Sequence, residues 1–392
     1  MSHADVTGTH GTAAAAPSAR PASPVSRREV LRSGGLLVGG VGAAALLAGC
    51  GPAVAPSWSF GPAPSPAATG PSPAASGSPA PGSPSPSSSA AAPASSAATA
   101  SATPLPSGAA AAREPSPPDF AAPPPYRPAQ SAPVAFNLTS YDGPGQSILI
   151  ARSPDAVYGS MNFDGQVPAP TLRITEGDTV HFTLTNRGSM PHSIDFHAAQ
   201  VAWSRVYQEV APGATASFDW TAQYPGVFMY HCGAAPVLMH IADGMYGMAI
   251  VDPKGGRPTA HEYVIVQSEF YGAGGDYAKM LNAPPDFVVF NGQSLRHKTA
   301  PLAAKAGELV RLFILNAGPN SSSAFHVIGA LFSHYEAEGY PPNAQGMHQT
   351  INVPPGDGAL VELTFAEPGT YPFVTHKFSD ASKGATGLFK VS

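Results

Sequence analysis

The chain has 392 residues, 43% of them hydrophobic and 11% charged, with 41 Gly, 45 Pro and a formal net charge of −5. So many backbone-special residues with so few charges exclude a helix-rich, charge-laced protein, and their crowding before residue 134 excludes a uniform globular chain. No basic run occurs, which argues against nucleic acid as a partner.

Residues 1–50 read as an export address. Ser26-Arg27-Arg28-Glu29-Val30-Leu31 is a twin-arginine pattern, followed from Leu36 to Ala48 by an apolar run too short and too Gly-rich for a good spanning helix. The closing Leu47-Ala48-Gly49-Cys50 resembles a lipoprotein cleavage box. The expectation is a lipid on Cys50 and a chain anchored to the outer face of the cytoplasmic membrane, within the cell envelope. A plain signal with an incidental cysteine is the alternative. With Cys50 so used, Cys232, the one other cysteine, has no partner for an intramolecular disulfide.

Residues 51–133 are rich in Pro, Ser, Ala and Gly and poor in large apolar side chains. Such a segment cannot bury enough surface to offset its chain entropy, so it is expected to be a disordered tether. Residues 134–392 are long enough for two domains. Their signal is short alternating runs between Gly/Pro turns. Thr179-Val180-His181-Phe182-Thr183-Leu184-Thr185 puts Val180, Phe182 and Leu184 on one face, with His181 on the other as a solvated strand histidine. Asp252-Pro253-Lys254-Gly255-Gly256 marks a boundary, giving domains at 134–254 and 255–392. A weak internal repeat supports two related units: Gly177-Asp178-Thr179-Val180 with Asn186 recurs as Gly307-Glu308-Leu309-Val310 with Asn316, and Pro225-Gly226-Val227-Phe228 as Pro368-Gly369-Thr370-Tyr371. The predicted fold is all-β: two tandem Greek-key β-sandwiches with little helix.

The chemistry gathers in three stretches. Cys232 alone could be a small buried hydrophobe. But Cys232, His240 and Met245 form Cys-x7-His-x4-Met after a strand, and His192 lies 40 residues upstream of the cysteine. One thiolate, two imidazoles and a thioether are the ligands of a blue-copper electron-transfer site; zinc would more usually take further Cys or His and no Met. Adjacent strand residues face opposite ways. If Cys232 points into domain 1, His231 points out of it, and Asp195 and His197 share a parity that His192 lacks. An outward cluster of His197, His231 and Asp195 suggests a second metal, joined to the first by the peptide between residues 231 and 232. Two imidazoles leave that site incomplete. Domain 2, which has no cysteine, supplies His326 and His376 for an interface, whereas His261, His297, His334 and His348 read as surface residues.

These motifs together resemble the copper-containing nitrite reductases, enzymes of two cupredoxin domains within the multicopper oxidase superfamily. His192-Ser193-Ile194-Asp195-Phe196-His197, Tyr230-His231-Cys232 through Met245-Tyr246-Gly247, Ala324-Phe325-His326-Val327-Ile328-Gly329 and Val374-Thr375-His376 carry the likeness, which covers about residues 135–392. The resemblance implies type 1 copper on His192, Cys232, His240 and Met245. It implies type 2 copper on His197 and His231 of one subunit and His376 of the next, within a homotrimer. Asp195 and His326 would be the acid/base pair, and Ile328 the apolar wall over the bound ligand. The implied reaction is the one-electron reduction of nitrite to nitric oxide of the denitrification type, fed by an external donor such as a cupredoxin or a c-type cytochrome. Two stretches depart from the family: Ala198 to Ser204 where a Gly-rich loop is common, and the polar Lys377-Phe378-Ser379-Asp380. Two alternatives stay open. A two-domain multicopper oxidase would want His-x-His pairs, and none occurs. A membrane-tethered electron carrier would need neither Asp195 nor His326.

Overall fold

The computed structural model describes residues 112–392; the export signal, Cys50 and the tether as far as residue 111 lie outside the described residues. In the strand Thr179–Asn186, Val180, Phe182 and Leu184 are buried and His181 is exposed, as period-two alternation requires. The His181 ring meets Asp219 across the sheet (Nδ1 to Oδ1, 2.6 Å), a surface pair of small energetic weight.

Domain 1 is a sandwich of two four-stranded sheets. One runs Asn162–Phe163, Val134–Tyr141, Thr179–Asn186, Thr215–Thr221; the other runs Leu172–Thr175, Tyr246–Asp252, Gly226–His231, Asp195–Phe196. Domain 2 repeats the plan with six and five strands. His261–Phe270 lies parallel to Leu309–Gly318, as Val134–Tyr141 lies parallel to Thr179–Asn186. Helices are single turns or little more.

The internal repeat has a hydrogen-bond meaning. Asn186 ends the central strand of domain 1 and donates from Nδ2 to the carbonyls of Met190 and Val210, while its Oδ1 accepts from Gly188 N–H. Asn316 does the same in domain 2, donating to Ser321 and Val353 and accepting from Gly318. Each asparagine satisfies backbone groups where its strand leaves the sheet, so each fixes the course of the next loop. In domain 1 that loop leads to His192.

A third apolar cluster lies between the domains. Val227, Met229, Met248 and Ile250 of domain 1 face Val264, Val266, Phe313, Leu315 and Leu360 of domain 2. The strand Gly226–His231 is therefore covered on both faces, with Phe228 and Tyr230 turned to the domain 1 core and Val227 and Met229 to domain 2. Beside this seam Arg173, itself buried, holds Asp252 (2.6 Å) and Glu262 (2.6 Å), and Arg311 joins Glu262 (2.8 Å), so charges from both domains are paired rather than stranded.

The last part of the expected tether is ordered. Residues 112–133 run along the seam as a strap. Val167 N–H donates to Pro115 O (2.6 Å), Val264 N–H to Ala121 O (2.8 Å) and Arg173 to Pro124 O (2.7 Å). Phe120 is buried in the cluster between the domains, and the Arg296 guanidinium donates to Ser116 Oγ (2.8 Å). Composition alone misjudged this stretch: one buried aromatic side chain, backbone carbonyls and a few polar groups find partners on both domains.

His297, read from sequence as a surface residue, is buried, with Nε2 accepting from Asn291 Nδ2 (3.0 Å). Burial, helped by neighbouring Arg296, pushes its pKa down to about 4. The unfolded ring takes up a proton near pH 6.5 and the folded ring does not until about pH 4, so between those values the unfolded state binds more protons. The His297 contribution, about 3 kcal/mol, is fully present above pH 6.5 and is lost as pH falls towards 4. Urea unfolding of His297→Gln should show a shallower loss of stability than wild type over that window; parallel pH profiles would count against a buried neutral ring.

Candidate metal centres

The strand Gly226–His231 ends at the point where the two candidate centres diverge. Its last pairs are His231 with Tyr246 and His231 with Asp195, on either side. Cys232 continues the alternation: its side chain lies in the domain 1 core cluster, fully buried, while His231 turns to the other face.

Around Cys232 the structure brings together His192 and His240, with all three ligand atoms within 4.8 Å of one another. Sγ is 3.2 Å from His240 Nδ1 and 3.9 Å from His192 Nδ1, and the two imidazole nitrogens are 3.3 Å apart. Two nitrogens bound to one ion at about 2.0 Å and a tetrahedral angle stand about 3.3 Å apart, so the donor set fits a single metal. Met245 is buried in the same loop. Cys232 N–H donates to Met245 O (3.0 Å), and Met245 N–H to His240 O (3.0 Å), so backbone bonds lock three of the sequence-predicted residues to one another. Ser193 N–H points at the sulfur (3.3 Å) and favours its anionic form, although burial pushes the thiol pKa up. Burial, with His192 alongside, pushes His240 down to about 4, leaving the ring neutral as a ligand must be.

The second cluster lies on the other side of the peptide. His231 Nε2 and His197 Nε2 are 3.2 Å apart. Each ring uses Nδ1 on a backbone carbonyl, His231 on Cys232 O (2.9 Å) and His197 on Gly356 O of domain 2 (3.1 Å). That fixes the tautomer and aims two Nε2 lone pairs at one point, again at a spacing suited to one ion. Asp195 Oδ2 is 3.9 Å from His231 Nε2. His197 is exposed and Asp195 half-buried, so this half-site opens outward.

His376 does not join it within the chain. Among the described residues the one group of three His, Cys, Asp or Glu side chains close enough for a metal is His192, Cys232 and His240. His376 instead stands beside His326, ring centroids 5.1 Å apart, on domain 2. His326 Nδ1 meets Gln349 O, and His376 is exposed. Ile328, just past the strand Ser323–Val327, is exposed, and Val327 between it and His326 is buried. The polar stretch after His376 proves partly internal: Asp380 is buried and accepts from Ser321 Oγ (2.9 Å). Sequence reasoning missed the Ser193 amide and Asp142, whose carboxylate binds the far nitrogen of His192 (2.8 Å).

Fold and site together define a two-domain cupredoxin-type copper protein. Two family models described as multicopper oxidase match residues 151–256 and 261–390. The copper-containing nitrite reductase of Neisseria gonorrhoeae is 43% identical over 250 residues, which is 60% of this chain and 63% of that protein; the chain thus spans somewhat less than two thirds of that relative. A copper nitrite reductase structure from Nitrosomonas europaea is 36% identical with a TM-score of 0.64, covering 67% of this chain and 94% of that one. A structure described as a multicopper oxidase is 29% identical with a TM-score of 0.63, covering 71% and 98%. The chain belongs to the copper-containing nitrite reductase family, and copper is the metal that family carries.

Cys232→Ala should abolish the intense visible thiolate-to-copper absorption of the copper-loaded protein; a spectrum that kept its colour would remove the cysteine from the centre.

Proposed function

We propose that the protein reduces nitrite to nitric oxide and water, taking up one electron and two protons. The observation that carries this reading is the pair of donor clusters on opposite faces of residues 231 and 232, one enclosed and one open to solvent. The enclosed set, His192, Cys232, His240 and Met245, would hold type 1 copper. The open half-site, His197 and His231, would be completed as a type 2 site by His376 of the partner subunit in a homotrimer. In support, Phe378, its ring beside His376, and Ile328, two residues after His326, are both exposed, and exposed apolar side chains of this kind suit a second copy of the chain.

Copper in the two sets would supply the electron and, at the open site, a Lewis acid that holds the anion. The chain's own residues do the remainder. Asp195, whose Oδ2 is 3.9 Å from His231 Nε2, would pass a proton to an oxygen of the bound anion. His326, brought beside His376, would supply the second group of the relay. Ile328 would form the apolar wall that keeps water off the anion. Electrons would come from an external donor such as a cupredoxin or a c-type cytochrome. We also propose that the twin-arginine signal and a lipid on Cys50 place the enzyme on the outer face of the cytoplasmic membrane, within the cell envelope.

The multicopper oxidase reading would require four coppers per chain, the carrier reading one and the reductase two. An anaerobic assay for nitric oxide from nitrite with an artificial reductant, run beside a copper count, tests the proposal; no nitric oxide from protein with two coppers would overturn it. Asp195→Asn should lower nitrite turnover by about 10²–10⁴-fold while both coppers remain, and full activity would take Asp195 out of the reaction. His376→Ala should leave one copper per chain with the visible colour intact; two coppers would show another ligand.

A further inference from the structure

The loop held by Asn186 does more than deliver His192. Gly188, Ser189 and Met190 fold around the carboxylate of Asp142, the residue that follows the strand Val134–Tyr141. Asp142 accepts from Ser189 N–H (2.8 and 2.9 Å to its two oxygens), Ser189 Oγ (2.6 Å) and Met190 N–H (3.2 Å). Its remaining partner is His192 Nε2, at 2.8 Å. The fit is close: a side chain at Gly188 would run into the Asp142 carboxylate and come within 2.9 Å of His192 Nε2. The His192 side chain is wholly enclosed and that of Asp142 only 4% exposed.

Domain 2 has the corresponding clasp. Glu269, near the end of the strand His261–Phe270, accepts from Asn320 N–H (3.2 Å) and Ser321 N–H (2.6 Å), just past Asn316. There the carboxylate serves the loop and no histidine is attached. In domain 1 the same device carries a histidine whose other nitrogen faces Cys232.

We propose that Asp142 is the positioning residue of the type 1 copper, fixing His192 as the Nε2–H tautomer and lending it negative charge. This rests on the type 1 reading of His192, Cys232, His240 and Met245. A carboxylate only accepts, so the proton must sit on Nε2 and the Nδ1 lone pair must face the sulfur. An anionic partner on the far nitrogen makes the imidazole a stronger donor. A stronger donor favours Cu(II) over Cu(I) and lowers the reduction potential of the centre. No redox step is added; the charge changes only how readily the centre gives up its electron.

The test uses the full-length, copper-loaded protein. Wild type should show the thiolate-to-copper band; its absence would overturn the type 1 reading and this inference with it. Asp142→Asn keeps an acceptor and removes the charge. It should retain the band, show a higher type 1 potential by redox titration and bind that copper about 10–100-fold less tightly. A wild-type potential with the band present would overturn the role of Asp142 and leave the copper reading standing. If Asp142→Asn does not fold, Ser189→Ala carries the test, since it removes the 2.6 Å donor that competes with His192 for the carboxylate. More charge then falls on the imidazole and the potential should drop, opposite in sign to the asparagine variant; a clasp that is merely structural would leave it unchanged, and an unchanged or raised potential overturns the proposal.

Discussion

Everything around the candidate centres follows from one strand that is covered on both faces. Gly226–His231 has the domain 1 core on one side and domain 2 on the other, so its pleat assigns successive side chains to two separate environments. At its end this puts the Cys232 sulfur in a dry pocket and the His231 ring at a boundary that reaches solvent. The burial that encloses the strand extends to the sulfur site, where it keeps His240 neutral.

The second domain is a supporting body with a modified copy of the same plan. The matched roles of Asn186 and Asn316 show how far the likeness goes: each takes two carbonyls and one amide at the exit of its central strand. The two carboxylate clasps carry the comparison one residue further. What separates the domains is small in sequence: a histidine and a cysteine within reach of the clasp in one, neither in the other.

Much of the centre is legible in the residue pattern itself. Cys-x7-His-x4-Met lies in one loop, so its ligands are close for local reasons, and the facing of 231 against 232 needs only the pleat. His192 could be joined to them by parity. What could not be read is set by contacts distant in sequence. Asp142 reaches His192 across 50 residues through a loop whose course depends on Asn186, and a Tyr-Asp-Gly turn gives no hint of it. His297 looked like a surface residue because its covering comes from Asn291 and from strands elsewhere in domain 2. The strap at 112–133 was misjudged because composition measures what a segment can bury in itself, not what others can bury around it.

That strap has a bearing on movement. It ties domain 1 at Val167 and Arg173 and domain 2 at Val264 and Arg296, along the flank of an apolar seam already closed by paired charges. A hinge needs one edge free to open, and here the edge is crossed by the strap, bonded to both domains. Any opening between the two sandwiches along this flank would first have to break the strap's bonds to both, which favours their keeping together as one block.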